Sequence, residues 1–485
     1  MVRTKIIATV GPASASPEVL GELIGAGVDV FRLNFSHGAP TDHAQAVTHI
    51  REAARRRGTI VGIMGDLCGP KIRVAPVESD GFPIAAGASL DIVPGHVLGG
   101  PRQISTNRPE LIGELAVGHR VFIEDGLIRL RVEKAEAKRL QCLCEVGGTI
   151  RSRKGINLPD TDLAMSALTD KDRQDVAWAI GQDVDWLALS FVRRAADVQE
   201  LRSLLRQANS DCPIVAKIET PQAIQNLDGI IEATDAVLVA RGDLGVEMDI
   251  ARLPLLQKDM TARCSKAGKP VIVATEMLQS MVEHATATRA EVTDVANAIF
   301  DATDCLMLSA ETSVGAYPVE SVRMMSRIAQ ETEAYLSKTG AFARMDADET
   351  LNPTTSAVAH GAALLARELN AGALVVFTDT GRTVRLLSKC RPDRPVIGLS
   401  PEERVCRRMA LYYGVEPVHL PALEQADSVP GTLDRLLLDR RIASTGDTII
   451  VLARAQRAQP QSTKALLIHQ VGHPEEGTQG PRMPS

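Results

Sequence analysis

The apolar run Ile214-Val215-Ala216 in "PIVAKIETP" (213–221) leads into Lys217 and Glu219. A strand places residues two apart on one face, so the two charges point the same way. A core refuses such a pair unless it is matched by partners or holds a ligand. The pattern recurs along the chain. Other apolar runs end on Arg32, Asn34 and Ser36, on Asp66, on Ser190, on Arg241 and Asp243, on Thr275 and Glu276, and on Ser309 and Glu311. Spacing of two puts Arg32, Asn34 and Ser36 on one face, and Arg241 with Asp243, provided the strand geometry persists. Glu219 and Asp243, from adjacent strands, suit a hard divalent cation such as magnesium, with water or substrate oxygens completing its shell. Arg32, Lys217 and Arg73 are cations suited to phosphate. Mixed sites of this kind fit phosphoryl transfer, where catalysis is mainly positioning and charge stabilisation.

Eight strand candidates must bring these ends together: 4–9, 28–33, 60–66, 185–190, 213–218, 235–240, 271–276 and 304–309. Helical patterns follow at 16–26, 40–57, 170–181, 194–208, 220–233, 255–267, 288–300 and 317–337. Ser16-Pro17 with Glu18, and Thr169-Asp170, are helix-start signals. Continuous apolar strands alternating with helices predict a parallel (β/α)8 barrel, whose chemistry sits at the C-terminal strand ends.

One interval departs from that rhythm. Residues 71–166 show little helical periodicity, and "RVFIEDGLIRLRV" (120–132) carries Asp125-Gly126 at a hairpin centre. A small β-domain, expected as a β-barrel lid, is thus inserted between barrel segments 1–70 and 167–340. Insertion after a barrel strand hangs it over the active face. After the polar, turn-prone stretch near 345, α/β alternation resumes as a separate domain over 350–472, and 473–485 reads as a flexible tail.

Composition narrows the partners. The 485 residues are 45% apolar and 24% charged with a net charge of −6, which argues against a nucleic-acid or anionic-membrane binder. The fourteen aromatics offer little for base stacking. No apolar run is long enough to span a membrane, and no secretory leader is visible. The eight scattered cysteines form no CxxC pair, so neither a zinc site nor a disulfide framework is expected, and a cytoplasmic protein is the simplest reading. There is no GxxxxGK[ST] phosphate loop and no strand–GxGxxG–helix. His37, beside Gly38 in a turn, could act as a base but reads more simply as structural.

"TKIIATVGPAS", "FRLNFSHG", "GDLCGPKIR", "AKIET", "VARGDLGVE", "ATEMLQSM" and "TRAEVTDVANAIFDATDCLMLSAET" closely resemble pyruvate kinase, in order from residue 3 to about 330. The resemblance implies phosphoenolpyruvate and ADP as substrates, pyruvate and ATP as products, and a homotetramer. It assigns Glu219 and Asp243 to magnesium, with manganese as a substitute. It assigns Lys217 and Arg32 to the phosphoryl group, Thr275 to proton delivery at the enolate carbon, and the backbone around Gly242 to the substrate carboxylate. Arg73 and Lys154 fall on the nucleotide side, with Asn34 and His37. Asn34, Ser36, Asp66 and the Leu67 position match the potassium site of the family. Potassium-requiring members carry Thr, Lys and Glu where this chain has Leu67, Cys68 and Lys71. The expectation is therefore that Lys71 replaces potassium, which is not required.

In the C-terminal domain, "TDTGRT" resembles the effector phosphate turn of the family, with Thr378, Thr380, Gly381, Arg382 and Thr383 as candidates. Asp379 replaces a lysine, and "RAQRAQPQSTKA" (454–465) lacks a glycine-rich loop. A sugar or nucleotide monophosphate effector, or none, is expected. Two other readings compete: a magnesium-dependent pyruvate aldolase or lyase, and a non-catalytic metabolite sensor. The insertion and nucleotide-side cations weigh against the first, and the unbroken catalytic set against the second.

Overall fold

A computed structural model describes residues 2–95, 97–339, 353–421, 429–453 and 465–472. The expected linker near 345, the effector-loop residues 454–464 and the tail 473–485 lie outside the described residues. Eight parallel strands close into a barrel: β1 (Lys5–Thr9), β2 (Val30–Asn34), β3 (Gly62–Asp66), β4 (Trp186–Leu189), β5 (Ile214–Ile218), β6 (Ala236–Ala240), β7 (Val271–Ala274) and β8 (Cys305–Leu308). Each strand pairs with its sequence neighbours, and β8 returns to β1 with Ile7 opposite Met307.

Strand alternation sorts the apolar residues into two cores. Ile7, Val30, Met64, Val215, Leu238 and Ile272 share one cluster, while Phe31, Ile63, Leu187, Ile214, Val237 and Leu306 share another with the surrounding helices. The first set fills the barrel interior. Continuing its period of two reaches Arg32, Asp66, Ser190 and Lys217, so the parity that packs the barrel also aims these groups into the mouth.

Helix starts follow local chemistry. Ser16 Oγ accepts from Val19 N at 3.3 Å, and Thr169 with Asp172 forms a reciprocal cap. The expected helix 220–233 is two pieces, Pro221–Gln225 and Leu227–Ala233. At the break, the Asn226 amide donates to Arg193 O and Gln222 O, each at 3.0 Å.

The insertion is a six-stranded sheet with an additional two-stranded ribbon over one apolar core, rather than one closed sheet. Its Asp125 and Gly126 both have positive φ, as the tight hairpin turn requires. The C-terminal domain has a five-stranded sheet, ordered Val415–His419, Val396–Ser400, Ala373–Phe377, Thr448–Ala453 and Ala465–Gln470, with the last strand antiparallel. This domain continues the core of the barrel interior. Lys389 pairs with Asp304 at 2.7 Å, and Arg407 with Asp185 at 2.7 Å. Backbone approach is close there: a Cβ on Gly62 would lie 2.9 Å from Arg407 O. All eight cysteines are free. Among the described residues, no helix is long and apolar enough to cross a membrane.

Candidate active site

The ends of five strands, β1 to β5, meet in one buried network. Lys217 Nζ lies 2.7 Å from Ser190 Oγ, 2.8 Å from Glu219 Oε1 and 3.3 Å from Asp66 Oδ1. Arg32 Nε donates to Asp66 Oδ2 at 2.6 Å, and its Nη1 reaches Thr9 Oγ1 at 3.1 Å. Glu219 also accepts from Phe191 N at 2.8 Å. Asp66 and Glu219 are only 1% and 2% exposed. Burial alone would raise the Asp66 carboxyl's pKa, but Lys217 and Arg32 together hold it below the ordinary value. Burial opposes the charge on Lys217, yet Asp66 and Glu219 win and hold its pKa above the usual lysine range. The ammonium therefore stays charged and acts as a fixed cation, not as a base.

Asp243 adds the second carboxylate from a different element. The structure ends β6 at Ala240, and Arg241–Glu247 is a short helix. The expectation that strand geometry carries Arg241 and Asp243 onto one face is thus corrected. Arg241 turns away to Asp294, with Nη1 2.7 Å from its carboxylate. Burial, and then the Glu219 charge, push Asp243 up to about 6. Burial and the neighbouring Glu219 charge make the Asp243 carboxylate costly to ionise, and a divalent cation held by both side chains would relieve that cost. Among the described residues, no group of three His, Cys, Asp or Glu has metal-binding geometry. A pair of carboxylates suits a hard cation that completes its shell with substrate oxygens and water, as magnesium does.

Glu247, one helical turn beyond Asp243, was not singled out from sequence. It is 9% exposed, and its Oε1 accepts from Asn157 of the insertion at 3.0 Å. Burial, partly offset by Asn157 and reinforced by Asp243, pushes it up to about 7. Read as a helix, "VARGDLGVE" puts Asp243 and Glu247 at i and i+4 on one face, which is the signal that could have found it.

Strand β7 also stops early, at Ala274, and Thr275 and Glu276 follow it with φ of 71° and 55°. Thr275 Oγ1 accepts from Gly242 N at 2.7 Å, bringing those two expected groups together. Glu276 is exposed. Glu311 is not a charge of the mouth, because it is 1% exposed and accepts from Ser309 N and Leu278 N at 2.7 and 3.0 Å.

A cleft of about 650 Å³, open to solvent, separates the insertion from the barrel. Lys71, Asp125 and Asn157 line one side, and Phe191, Asp243 and Glu247 the other. Lys71 is exposed, and its charge draws the Asp243 pKa downward. Among the described residues, no hydrogen bond or ion pair joins it to Asn34, Ser36 or Asp66. Asn34 Oδ1 accepts from Ser36 N at 3.1 Å, and Leu67 is buried with its N–H on Ala188 O at 2.9 Å. His37 is exposed, with its carbonyl 2.9 Å from His43 Nε2. Arg73 and Lys154 share the base of the insertion: Val74 N donates to Lys154 O at 2.9 Å, and Lys154 Nζ pairs with Glu124 at 2.6 Å. The insertion is seated by Arg193, whose guanidinium donates to Leu163 O at 2.6 Å and to Met165 O.

In the C-terminal domain, Thr378 Oγ1 accepts from Gly381 N at 2.9 Å and Thr380 N at 3.4 Å. Gly381 has φ of 74° and precedes helix Arg382–Lys389, whose second residue is Thr383. The turn is compact and lies far in sequence from the barrel mouth.

Family models agree with this architecture. The pyruvate kinase barrel domain matches residues 1–322, and the pyruvate kinase alpha/beta domain matches residues 356–469. The chain is 39% identical over 470 residues to a pyruvate kinase of Geobacillus stearothermophilus, covering 96% of this chain and 80% of the relative. It is 37% identical over 485 residues to a pyruvate kinase of Staphylococcus aureus, covering 99% and 82%. A crystal structure of a pyruvate kinase from Cryptosporidium parvum superposes with a TM-score of 0.88 at 34% identity, covering 97% of this chain and 96% of the other. The chain belongs to the pyruvate kinase family, and is a phosphotransferase whose charged network sits in the mouth of its barrel.

Proposed function

We propose that the protein transfers the phosphoryl group of phosphoenolpyruvate to ADP, giving pyruvate and ATP. The observation that carries the reading is the single buried network of Arg32, Asp66, Lys217 and Glu219 beside Asp243, beneath an inserted domain. Arg32 and Lys217 are the cations that bind the phosphoryl oxygens. Asp66 orients both, so the charges are in place before substrate arrives. Glu219 and Asp243 hold magnesium, with manganese as a substitute. When bound, the metal supplies positive charge to the reacting oxygens. The Gly242 N–H, spent on Thr275 Oγ1 in the free protein, passes to the substrate carboxylate. Thr275 then delivers a proton to the enolate carbon. ADP lies toward Arg73 and Lys154, with Asn34 and His37 at the edge of its site, and the insertion excludes water above it.

Lys71 supplies the charge that potassium provides elsewhere, so potassium is not required. The Thr378–Thr383 turn takes a sugar or nucleotide monophosphate effector, or none, and the protein assembles as a homotetramer. The test is pyruvate formation from phosphoenolpyruvate and ADP with magnesium in potassium-free buffer. A high rate abolished by chelating the metal is expected. No pyruvate with or without potassium would overturn the reading.

A further inference from the structure

Thr275 is a β-branched residue with φ of 71°, and Glu276 follows it at 55°. β-branched residues rarely occupy this region, so neighbouring contacts must hold Thr275 there. Its hydroxyl donates to Ala274 O at 2.6 Å and accepts from Gly242 N at 2.7 Å. Its carbonyl accepts from Arg241 Nη2 at 2.9 Å, and the same nitrogen lies 2.9 Å from Met277 Sδ. Arg241 Nη1 is held in turn by Asp294, 2.7 Å away on helix Arg289–Phe300. The guanidinium thus ties the end of β6 to the end of β7. Its neighbour Gly242 grips the Thr275 hydroxyl while Arg241 grips the carbonyl, so both sides of the strained residue depend on two adjacent positions.

We propose that Arg241, fixed by Asp294, is a positioning residue. It holds the Thr275 backbone so that Oγ1 meets the enolate carbon of the product. The inference rests on the proton-delivery role assigned to Thr275 above. In that step Oγ1 gives its proton to the carbon as a C–H bond forms, and takes a proton from water, so one water-derived proton is consumed. Phosphoryl binding by Arg32 and Lys217 does not pass through this contact. Loss of the clamp should therefore act on turnover rather than on substrate affinity. A small misplacement of a reacting group costs up to about 10²-fold in rate.

The experiment compares Asp294→Asn, Thr275→Val and the double variant. Readouts are kcat, KM for phosphoenolpyruvate, and exchange of pyruvate methyl hydrogens with deuterated water in the presence of magnesium and ATP. Asp294 is partly exposed, with a side chain at 39%, and thermal unfolding checks that each variant folds. Asp294→Asn is expected to lower kcat and exchange about tenfold, with KM changed less than about twofold. In the Thr275→Val background the same change should cost less than about twofold, because the clamp acts through the missing hydroxyl. Arg241→Lys, which keeps the charge but cannot bridge Asp294 and the carbonyl in the same way, should resemble Asp294→Asn. Slow exchange in Thr275→Val with full exchange in Asp294→Asn would overturn the clamp alone. Equal costs in both backgrounds would do the same, by revealing a general structural effect. Full exchange in Thr275→Val would overturn the role of Thr275 and the clamp with it.

Discussion

Asn157 of the inserted domain donates to Glu247 of the barrel across 3.0 Å, and Glu247 sits one helical turn beyond Asp243. One short helix therefore carries both the candidate metal ligand and a contact that seats the insertion. Loss of the contact should loosen the insertion without removing any phosphoryl-binding group. Asn157→Ala is expected to raise KM for ADP several-fold and to speed proteolysis within the insertion. Unchanged KM and proteolysis would argue that Arg193 and its neighbours seat the insertion unaided.

The same glutamate predicts a pH dependence. Burial pushes its carboxyl up to about 7, above the ordinary glutamate value of 4.5. Between those values the folded state keeps a proton that the unfolded state has lost. Stability from this group is thus present at low pH and falls as pH rises through about 7. In metal-free protein, the melting temperature of the wild type should fall more steeply between about pH 5 and pH 8 than that of Glu247→Gln. Parallel slopes would count against the assignment.

Lys217 has three partners in the network, at 2.7, 2.8 and 3.3 Å. Lys217→Met removes the fixed cation and leaves Asp66 and Glu219 facing each other. Loss of a preorganised charge of this kind costs about 10²–10³ in kcat or more. Initial rates of pyruvate formation check it, and a loss smaller than tenfold would mean that Arg32 and the metal suffice.

Lys71 faces the cleft, and its charge acts on Asp243. Full activity without potassium is expected for the wild type. Lys71→Glu should lose most of its rate in potassium-free buffer and recover part of it when potassium is added. Wild-type activity that appears only with potassium would contradict the assignment.

Asp304 joins the barrel to the C-terminal domain. It is 1% exposed and accepts from Lys389 Nζ and Val271 N, each at 2.7 Å, and from Arg391 Nη2 at 3.4 Å. Removing one member of a buried pair strands the others' charge and costs about 3–5 kcal/mol. Asp304→Ala should lower stability to that extent in denaturant unfolding, and a loss near zero would show that the two cations find other partners.

The sequence by itself determined the barrel and most of its mouth. Short apolar runs such as Ala236–Ala240, alternating with longer amphipathic stretches, read as buried strands, and the period of two in a strand fixes where Lys217 points once Val215 is packed inside. Caps at Ser16 and Thr169 are local hydrogen bonds, so they too were legible. Tertiary structure decided what happens where strands end. Arg241 leaves the mouth because the chain turns helical at β6 and Asp294, 53 residues on, offers it a partner. Glu311 is spent on backbone N–H groups of Ser309 and Leu278, and Thr275 is forced into a left-handed conformation by contacts from another strand end. Glu247 gained its part only because the insertion folds back over it to place Asn157 nearby. Periodicity is a property of neighbouring residues, whereas the partner of a charge is chosen by whatever the closed barrel brings within reach.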